Sequence, residues 1–504
     1  MAAFVLSSLA ALVKWMLVSR TFGTSAQVDA FNAANRLPEI LFTLMAGGAL
    51  ASAFVPTFTR LLTQSDQEGA WRLASSIANL VFLGLSLSAA VSWIIAPWLV
   101  QHVLAPYFTD PGQIDLTISL LRILLTSAVI FGVSGLCMGI LNAHQHFLLP
   151  ALAPTFFWLG WIVGVTLLSP RMGIHGLAWG VVLGALMHLL IQLPGLRGRS
   201  ARYYLGLGLK DPTVRRVGAL MAPRLLGVGV VQLNFLVNTI LASGMPEGSL
   251  SGITIAFAVM MMPQVIIAQA TGIAVLPTFS AQVARNELGE MRASLANTLR
   301  GVLFLSLPAS VGLIILRRPV VAMLFQRGAF DARSTELVAW ALLWYAAGLV
   351  GHSLLEIVAR AFYAMQDTRT PVVVGAGAMT LNVVFSVVFS ILFARAGRAP
   401  HAGLALGNSL ATAVECVILL LLLRTRVGGF DLGRLRRGLL ATVGGAALMG
   451  LSLWGWLEAM SGASVWAAGF GGVAIGGGIF WLSSLLLGAP EARQLPALLL
   501  RRSA

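Results

Sequence analysis

The sequence predicts an all-α membrane protein of about 14 transmembrane helices, built as two six-helix pseudo-symmetric halves with a C-terminal helix pair. Three observations predict it. Of the 504 residues, 58% are hydrophobic and only 10% charged, against roughly 25% charged in a soluble domain. A soluble core of this length has no place for so much apolar side chain, whereas a bilayer does. The apolar residues also fall in runs such as 77–96, 226–245 and 465–487, which reach the roughly 20 residues that cross about 30 Å of hydrocarbon. Finally, the chain repeats itself at one fixed spacing. The runs do not alternate with period two, which argues against a β-barrel.

Hydropathy and helix breakers place the spans at 3–22, 28–58, 74–104, 116–142, 148–169, 174–195 and 217–243 in the first part of the chain. They continue at 251–282, 298–324, 334–364, 371–396, 402–424, 436–458 and 464–488. Several exceed what a bilayer needs and are expected to tilt or extend into water. The 53 glycines suit helices that approach closely in lipid.

Two short motifs carry the repeat. Phe54-Val55-Pro56-Thr57-Phe58-Thr59 returns as Val275-Leu276-Pro277-Thr278-Phe279-Ser280, and Asn142-Ala143-His144-Gln145 ending at Pro150 returns as Tyr363-Ala364-Met365-Gln366 ending at Pro371. Both proline pairs are 221 residues apart. The predicted organisation is a six-helix half over 1–196, a cytoplasmic amphipathic linker over 197–216 and a second half over 217–425. A helix pair over 426–490 and a cytoplasmic tail over 491–504 complete it. Duplicated halves of this kind imply a secondary transporter with a site near the midplane.

Lys and Arg set the expected orientation. With the N-terminus inside, the inner connections and tail carry 20 basic residues, the densest group being Arg197, Arg199, Arg202, Lys210, Arg215 and Arg216. The outer ones carry 8, among them Arg20, Arg171, Arg327 and Arg398. Both termini are therefore expected in the cytoplasm. The same distribution explains the net charge of +15 without nucleic acid. Cys137 and Cys416 lie inside apolar runs, so neither a disulfide framework nor a thiol metal motif is expected. The start has no basic n-region or small-residue cleavage site, so no removable signal peptide is expected. The chain begins so close to span 1 that its true start is expected upstream of Met1.

Ionisable residues inside spans are costly and mark a pathway or an internal pair. On span 2, Asp29, Asn32, Arg36 and Glu39 share one helical stripe with Asn35 beside them. The stripe fits either a wet cavity lining or a belt at the membrane interface. Pro38, then Gly47 and Gly48, could let this span bend. Lys14 lies mid-span in helix 1, too deep to snorkel easily, which favours a cavity-facing position. Span 7 carries Arg224, Gln232, Asn234 and Asn238, and span 8 carries Gln264 and Gln269. The Asn234/Asn238 pair fits a binding site or interhelical glue equally. Glu356 and Arg360 on span 10 are four apart and can neutralise each other. Glu415 on span 12 lacks an obvious local partner and fits a proton or cation site, or a neutral hydrogen-bonded acid. No His/Asp/Glu spacing suggests a metal, no phosphate-cradling Gly-rich lysine motif suggests ATP use, and no nucleophile–base pair suggests an enzyme.

The stretch Val28-Asp29-Ala30-Phe31 to Arg36-Leu37-Pro38, followed by Gly48-Ala49 and Ala53-Phe54-Val55-Pro56, resembles the second-helix signature of the MurJ (MviN) lipid II flippases. These belong to the multidrug/oligosaccharidyl-lipid/polysaccharide exporter superfamily. The resemblance continues through Gly139-Ile140-Leu141-Asn142, Pro150-Ala151-Leu152-Ala153-Pro154, Leu225-Leu226-Gly227-Val228 with Asn238-Thr239, Leu276-Pro277, Leu324-Phe325-Gln326-Arg327-Gly328 with Phe330, and Phe362-Tyr363 with Gln366-Asp367 and Thr370-Pro371. It covers about residues 8–425 in collinear order.

The resemblance implies flipping of a polyprenyl-pyrophosphate-linked peptidoglycan precursor across a bacterial plasma membrane, with no cofactor. Coupling to a cation or to the membrane potential is implied too, as is a place beside the cell-wall synthesis machinery. An anionic pyrophosphate needs cationic partners while it crosses. Lys14 falls where the family usually has a helix-1 arginine, Asp29 matches its helix-2 acid, and Arg36 matches a basic position. Other family cations are replaced: one falls near Ser8, two at Phe42 and Thr43, and one on span 8 at Ala258. The family acid before Gly48 is Gly47. Lys14, Arg36 and Arg224 are thus the expected phosphate partners, with Asp29, Asn32, Glu39, Asn234 and Asn238 lining the site. Fewer cavity cations also fit another lipid-linked saccharide, an amphipathic cation, or a transport-dead scaffold for wall synthesis.

Overall fold

The computed structural model describes residues 2–45, 49–199, 202–429 and 432–493. Among them are helices and their connections, with no strand. In order these are α1 (Ala2–Phe22), α2 (Ala26–Met45), α3 (Ala49–Thr63), α4 (Gln67–Ile94), α5 (Ala96–Leu99), α6 (Pro111–Ala143), α7 (Leu148–Val163), α8 (Ser169–Met172) and α9 (Ile174–Leu190). There follow α10 (Pro212–Ser243), α11 (Ser249–Gln264), α12 (Ala270–Ala284), α13 (Leu288–Phe325), α14 (Ala332–Ala364), α15 (Arg369–Arg395), α16 (Pro400–Arg426), α17 (Leu432–Ala459) and α18 (Val465–Leu486). Single π-turns at Val100–Leu104, Gly164–Leu168 and Val265–Gln269 lengthen or join neighbouring helices. The helices account for the fourteen expected spans, with span 2 described as α2 and α3. The hinge positions Gly47 and Gly48 lie outside the described residues.

Twelve helical segments among the described residues are long and apolar enough to cross a membrane, and α10 adds a shorter apolar stretch, Val228–Ser243. Large apolar side chains such as Leu87, Ile94, Val373 and Leu486 are exposed on their outer faces, which in water would be an aggregation surface and in lipid is the solvated one. Rod ends run past the predicted boundaries, as at α13, which starts ten residues before the predicted 298.

The repeat reaches into the backbone. All four non-glycine residues with positive φ among the described residues form two pairs at the repeat spacing: Ser65 (62°) with Asn286 (59°), and Gln145 (56°) with Gln366 (60°). Each ends a helix in the left-handed conformation, which polar side chains tolerate. Helix starts repeat as well. Asp110 caps α6 by accepting from the amides of Gly112 and Gln113, and Asp331 caps α14 by accepting from Ser334. The amide of Ser334 holds the Asp331 carboxyl below the usual range, so this cap persists while Asp331 is ionised and weakens as pH falls through that range. The repeated Pro-Thr-Phe motif buries Phe58 and Phe279 completely.

The chain packs as two compact units, Met1–Ser251 with Arg327–Phe330, and Gly252–Gln326 with Asp331–Ala504. In unit 1, Phe31, Leu120, Leu124, Trp161 and Leu177 form one core, and Phe54, Phe58, Trp71 and Ile140 another. Rod α10, which begins the second repeat by sequence position, packs within unit 1 against α2 and α3. In unit 2, one core gathers Phe279, Ile357, Phe362 and Leu419, while Phe304, Leu453 and Phe480 hold α13 to α17 and α18.

Glycines set the closest helix contacts. Where α7 and the π-turn after it cross α9, a Cβ added to Gly160 would lie 2.2 Å from the Cα of Gly184, and one on Gly180 would lie 2.6 Å from the Cα of Gly164. In unit 2, Cβ atoms on Gly403 and Gly407 would meet the α15 backbone at 2.6 and 2.8 Å. Without a hydrophobic driving force between helices in lipid, such backbone-to-backbone packing supplies much of the attraction. We predict that Gly180→Ala lowers stability by about 2 kcal/mol, whereas Gly478→Ala, with open space at its Cβ, leaves it unchanged or slightly raised. Unfolding midpoints in detergent check this, and equal effects at both positions would refute it.

Candidate functional site

The polar stripe of α2 is built around one carboxylate. Asp29 is buried and accepts hydrogen bonds from the amides of Gly248 (2.7 Å) and Ser251 (2.8 Å), and from the Ser251 hydroxyl. These groups belong to the start of α11, whose first amides have no intrahelical acceptors. Asp29 therefore supplies the cap of a helix more than 200 residues away, where the positive end of the helix dipole favours an anion. The cap is returned. The Glu247 carboxylate accepts from the Ala26 amide at the start of α2, 2.8 Å away and 221 residues distant. The separation is the repeat spacing itself, so the two helix starts cap one another reciprocally.

The rest of the stripe runs down α2 from this point. Asn32 donates to the Ser251 hydroxyl (3.4 Å). Arg36 donates through Nε to the Thr239 hydroxyl of α10 (3.2 Å), pairs through Nη1 with Glu39 (3.0 Å), and lies over the Phe235 ring. Glu39 itself is about half exposed. Asn234 and Asn238 are buried on α10. Pro38 sits inside α2, which runs on to Met45, so it leaves no break of its own here. The structure thus brings Asp29, Asn32, Arg36 and Glu39 together with α10 and the first residues of α11, all inside unit 1. The side chain of Arg224 lies outside the described residues.

Lys14 is also in unit 1, only 2% exposed. Its ammonium stands 3.4 Å from the ring centre of Trp15, 4.6 Å from Trp161 and 4.8 Å from Trp158. Ring quadrupoles attract a desolvated cation by about 2 kcal/mol each at best, which makes a buried lysine tolerable without a contacting carboxylate.

The two acids considered for ion coupling lie in unit 2. Glu356 is paired with Arg360 through Nε (3.1 Å) and Nη2 (2.6 Å), over Gly272 of α12. Glu415 on α16 is half-buried, and its Oε1 occupies space left by Gly375 of α15. Among the described residues it has no ion pair.

A second close contact lies at the α1–α2 turn. Gly23 and Gly328 both have φ of +62°, and the Ala329 amide donates to the Arg20 carbonyl (2.9 Å). A Cβ on Gly23 would sit 2.4 Å from the Ala329 oxygen, and one on Gly328 2.4 Å from the Arg20 oxygen. The two turns interlock because neither carries a side chain at the crossing. Inspection of polar residues within spans does not find Glu247, Ser251, Trp158, Trp161, Gly23 or Gly328. For Glu247 a signal exists, its position one repeat after Ala26. The tryptophans have none, since only packing carries them to Lys14.

The family profile described as lipid II flippase MurJ matches residues 18–470. The chain is 32% identical over 428 residues to the lipid II flippase MurJ of Burkholderia cenocepacia, covering 84% of this chain and 82% of that one. It is 32% identical over 437 residues to the probable lipid II flippase MurJ of Bdellovibrio bacteriovorus, covering 85% and 82%. A solved structure of lipid II flippase MurJ in an inward closed conformation shares the fold with a TM-score of 0.83 at 22% identity, covering 96% of this chain and 97% of the other. An inward-facing multidrug resistance MATE family transporter of the MOP superfamily follows at 0.70 and 18%, covering 84% and 94%. With a family profile spanning nine-tenths of its length and relatives this similar over four-fifths of theirs, the chain belongs to the lipid II flippase MurJ family.

Proposed function

We propose that this protein moves lipid II from the inner to the outer leaflet of a bacterial plasma membrane by alternating access, with both termini in the cytoplasm. The observation that carries the reading is the family match over residues 18–470 on a fold whose second rod keeps its charged stripe. Lys14 and Arg36 are the cations assigned to the pyrophosphate. The Lys14 ammonium meets three tryptophan ring faces, so an arriving phosphate oxygen offers it a stronger partner. Arg36 shares a carboxylate, Glu39, and can transfer its fork to phosphate in the same way. A different amphipathic cargo is the second reading, favoured by Phe42, Thr43 and Ala258 at family cation positions.

In this orientation the turns at 23–25, 244–248 and 326–331 lie on the outer side. The reciprocal caps and the glycine interlock then form the outer closure. Hydrogen bonds to a charged acceptor contribute about 1.5–3 kcal/mol each, so the three on Asp29 hold the closure by roughly 5–9 kcal/mol. That is about the differential binding needed to invert a two-state equilibrium, and binding of cargo must offset it for the outer side to open. Ion coupling is assigned to Glu415, because Arg360 already neutralises Glu356.

Three outcomes are expected. Expression in a strain depleted of its own lipid II flippase should restore growth, and Lys14→Ala or Arg36→Ala, inserted at normal levels, should abolish rescue. Rescue that survives both substitutions points to the other cargo. Replacing Glu247 by Ala should raise labelling of a reporter cysteine at Asn32 by an impermeant thiol reagent added outside. An unchanged labelling rate would remove the caps from the closure. Finally, Glu415→Gln should cut flipping driven by an ion gradient in liposomes at least tenfold with lipid II binding retained; equal rates would exclude Glu415 from coupling.

A further inference from the structure

The connection before α10 is fixed in place more firmly than a linker requires. Asn79 of α4 donates to the carbonyls of Tyr204 (3.3 Å) and Gly206 (2.8 Å), and accepts from the Tyr203 hydroxyl. Ser75 accepts from the Tyr204 amide (3.1 Å). The Arg72 guanidinium covers the Tyr204 ring at 5.4 Å, and Gly208 lies so close to Ser76 that a Cβ there would stand 2.5 Å from its hydroxyl. Residues 202–211 thus form a strap along the first turns of α4, held by the side chains of Ser75 and Asn79.

What the strap presents outward is unusual for a water-exposed loop. Leu205 is 93% exposed, Tyr203 66% and Leu209 58%. A flexible loop could fold these side chains back; the bonds to Ser75 and Asn79 hold the backbone so that Leu205 points away from the protein. Directly further along α4, Phe82, Leu83 and Leu87 are exposed and begin the face that lipid chains cover. The strap therefore lies beside the start of that face. Its charge is one-sided. Residues 197–216 hold Arg197, Arg199, Arg202, Lys210, Arg215 and Arg216 against a single acid, Asp211. Asp211 is occupied in capping α10, where it accepts from the Thr213 amide (2.7 Å). Among the described residues, none of these six cations has an ion pair.

We propose that residues 202–211 are an interfacial anchor that binds the anionic lipid surface, Leu205 and Tyr203 entering the headgroup–acyl boundary and the surrounding cations meeting lipid phosphates. Exposed apolar tips flanked by Lys and Arg have this affinity for general physical reasons: apolar burial and electrostatic attraction to anionic headgroups add. Rod α10 starts at Pro212, immediately after the strap, so the anchor fixes where the first rod of the second repeat enters the membrane. The inference rests on the membrane-spanning fold alone and is independent of cargo and of which leaflet the strap faces.

The test uses the full chain carrying Leu205→Cys, labelled with a polarity-sensitive fluorophore, in nanodiscs of phosphatidylcholine with or without phosphatidylglycerol. The native Cys137 and Cys416 are buried. Both disc leaflets have one composition, so orientation does not enter. In anionic discs the label should emit at shorter wavelength and be quenched by lipids brominated near the headgroup. Salt should reverse the effect, and each of Arg202→Gln and Lys210→Gln should lower the docked-to-raised ratio about fivefold. Both positions are exposed, so the fold is not at risk. A label that stays water-exposed in every composition overturns the proposal and leaves the face to a protein partner, and docking indifferent to phosphatidylglycerol overturns the anionic specificity.

Discussion

Hydrocarbon offers no hydrogen bonds, and most of this structure follows from that single constraint. Backbone groups must pair within helices, which makes every crossing element a helix. Helix ends and polar side chains must find protein partners wherever water is remote. Asp29 shows the consequence most clearly. A buried carboxylate in a span is costly unless several donors converge on it, and the free amides at the start of α11 are such a set. The cost of one feature is offset by the deficit of another.

The same reasoning explains why the charged group in unit 1 is held in weak or shared bonds. Lys14 faces three tryptophan rings rather than a carboxylate, and Arg36 divides its donors between Thr239 and Glu39. In the role proposed for this group, it has to bind and then release. Fully compensated ion pairs, such as Glu356 with Arg360, resist an incoming anion, whereas ring faces and hydroxyls yield to it. The caps on α2 and α11 have the opposite character, being short and made to carboxylates.

Glycine has two separate roles. Along α7, α9 and α16 it permits backbones to touch within the membrane, where close packing substitutes for the hydrophobic effect. At Gly23 and Gly328 it serves conformation, since both adopt a positive φ and both stand where a side chain would strike a carbonyl. The first role is visible in sequence as spacing by four residues. The second leaves no trace beyond a glycine in a turn.

The order of the rods and the 221-residue repeat follow from hydrophobic run length and from short motifs read along the chain, and sequence alone determined them. The motif from Val28 to Pro56 likewise carried the family. Sequence also placed Asp29, Asn32, Arg36 and Glu39 on one face, because helical periodicity fixes azimuth. It could not choose between a cavity lining and an interface belt, because periodicity says nothing of partners. Tertiary packing decided those: Asp29 with Gly248 and Ser251, Glu247 with Ala26, Lys14 with Trp158 and Trp161. Each pairing joins residues far apart along the chain, and such contacts depend on which helix faces meet, a quantity no local pattern encodes.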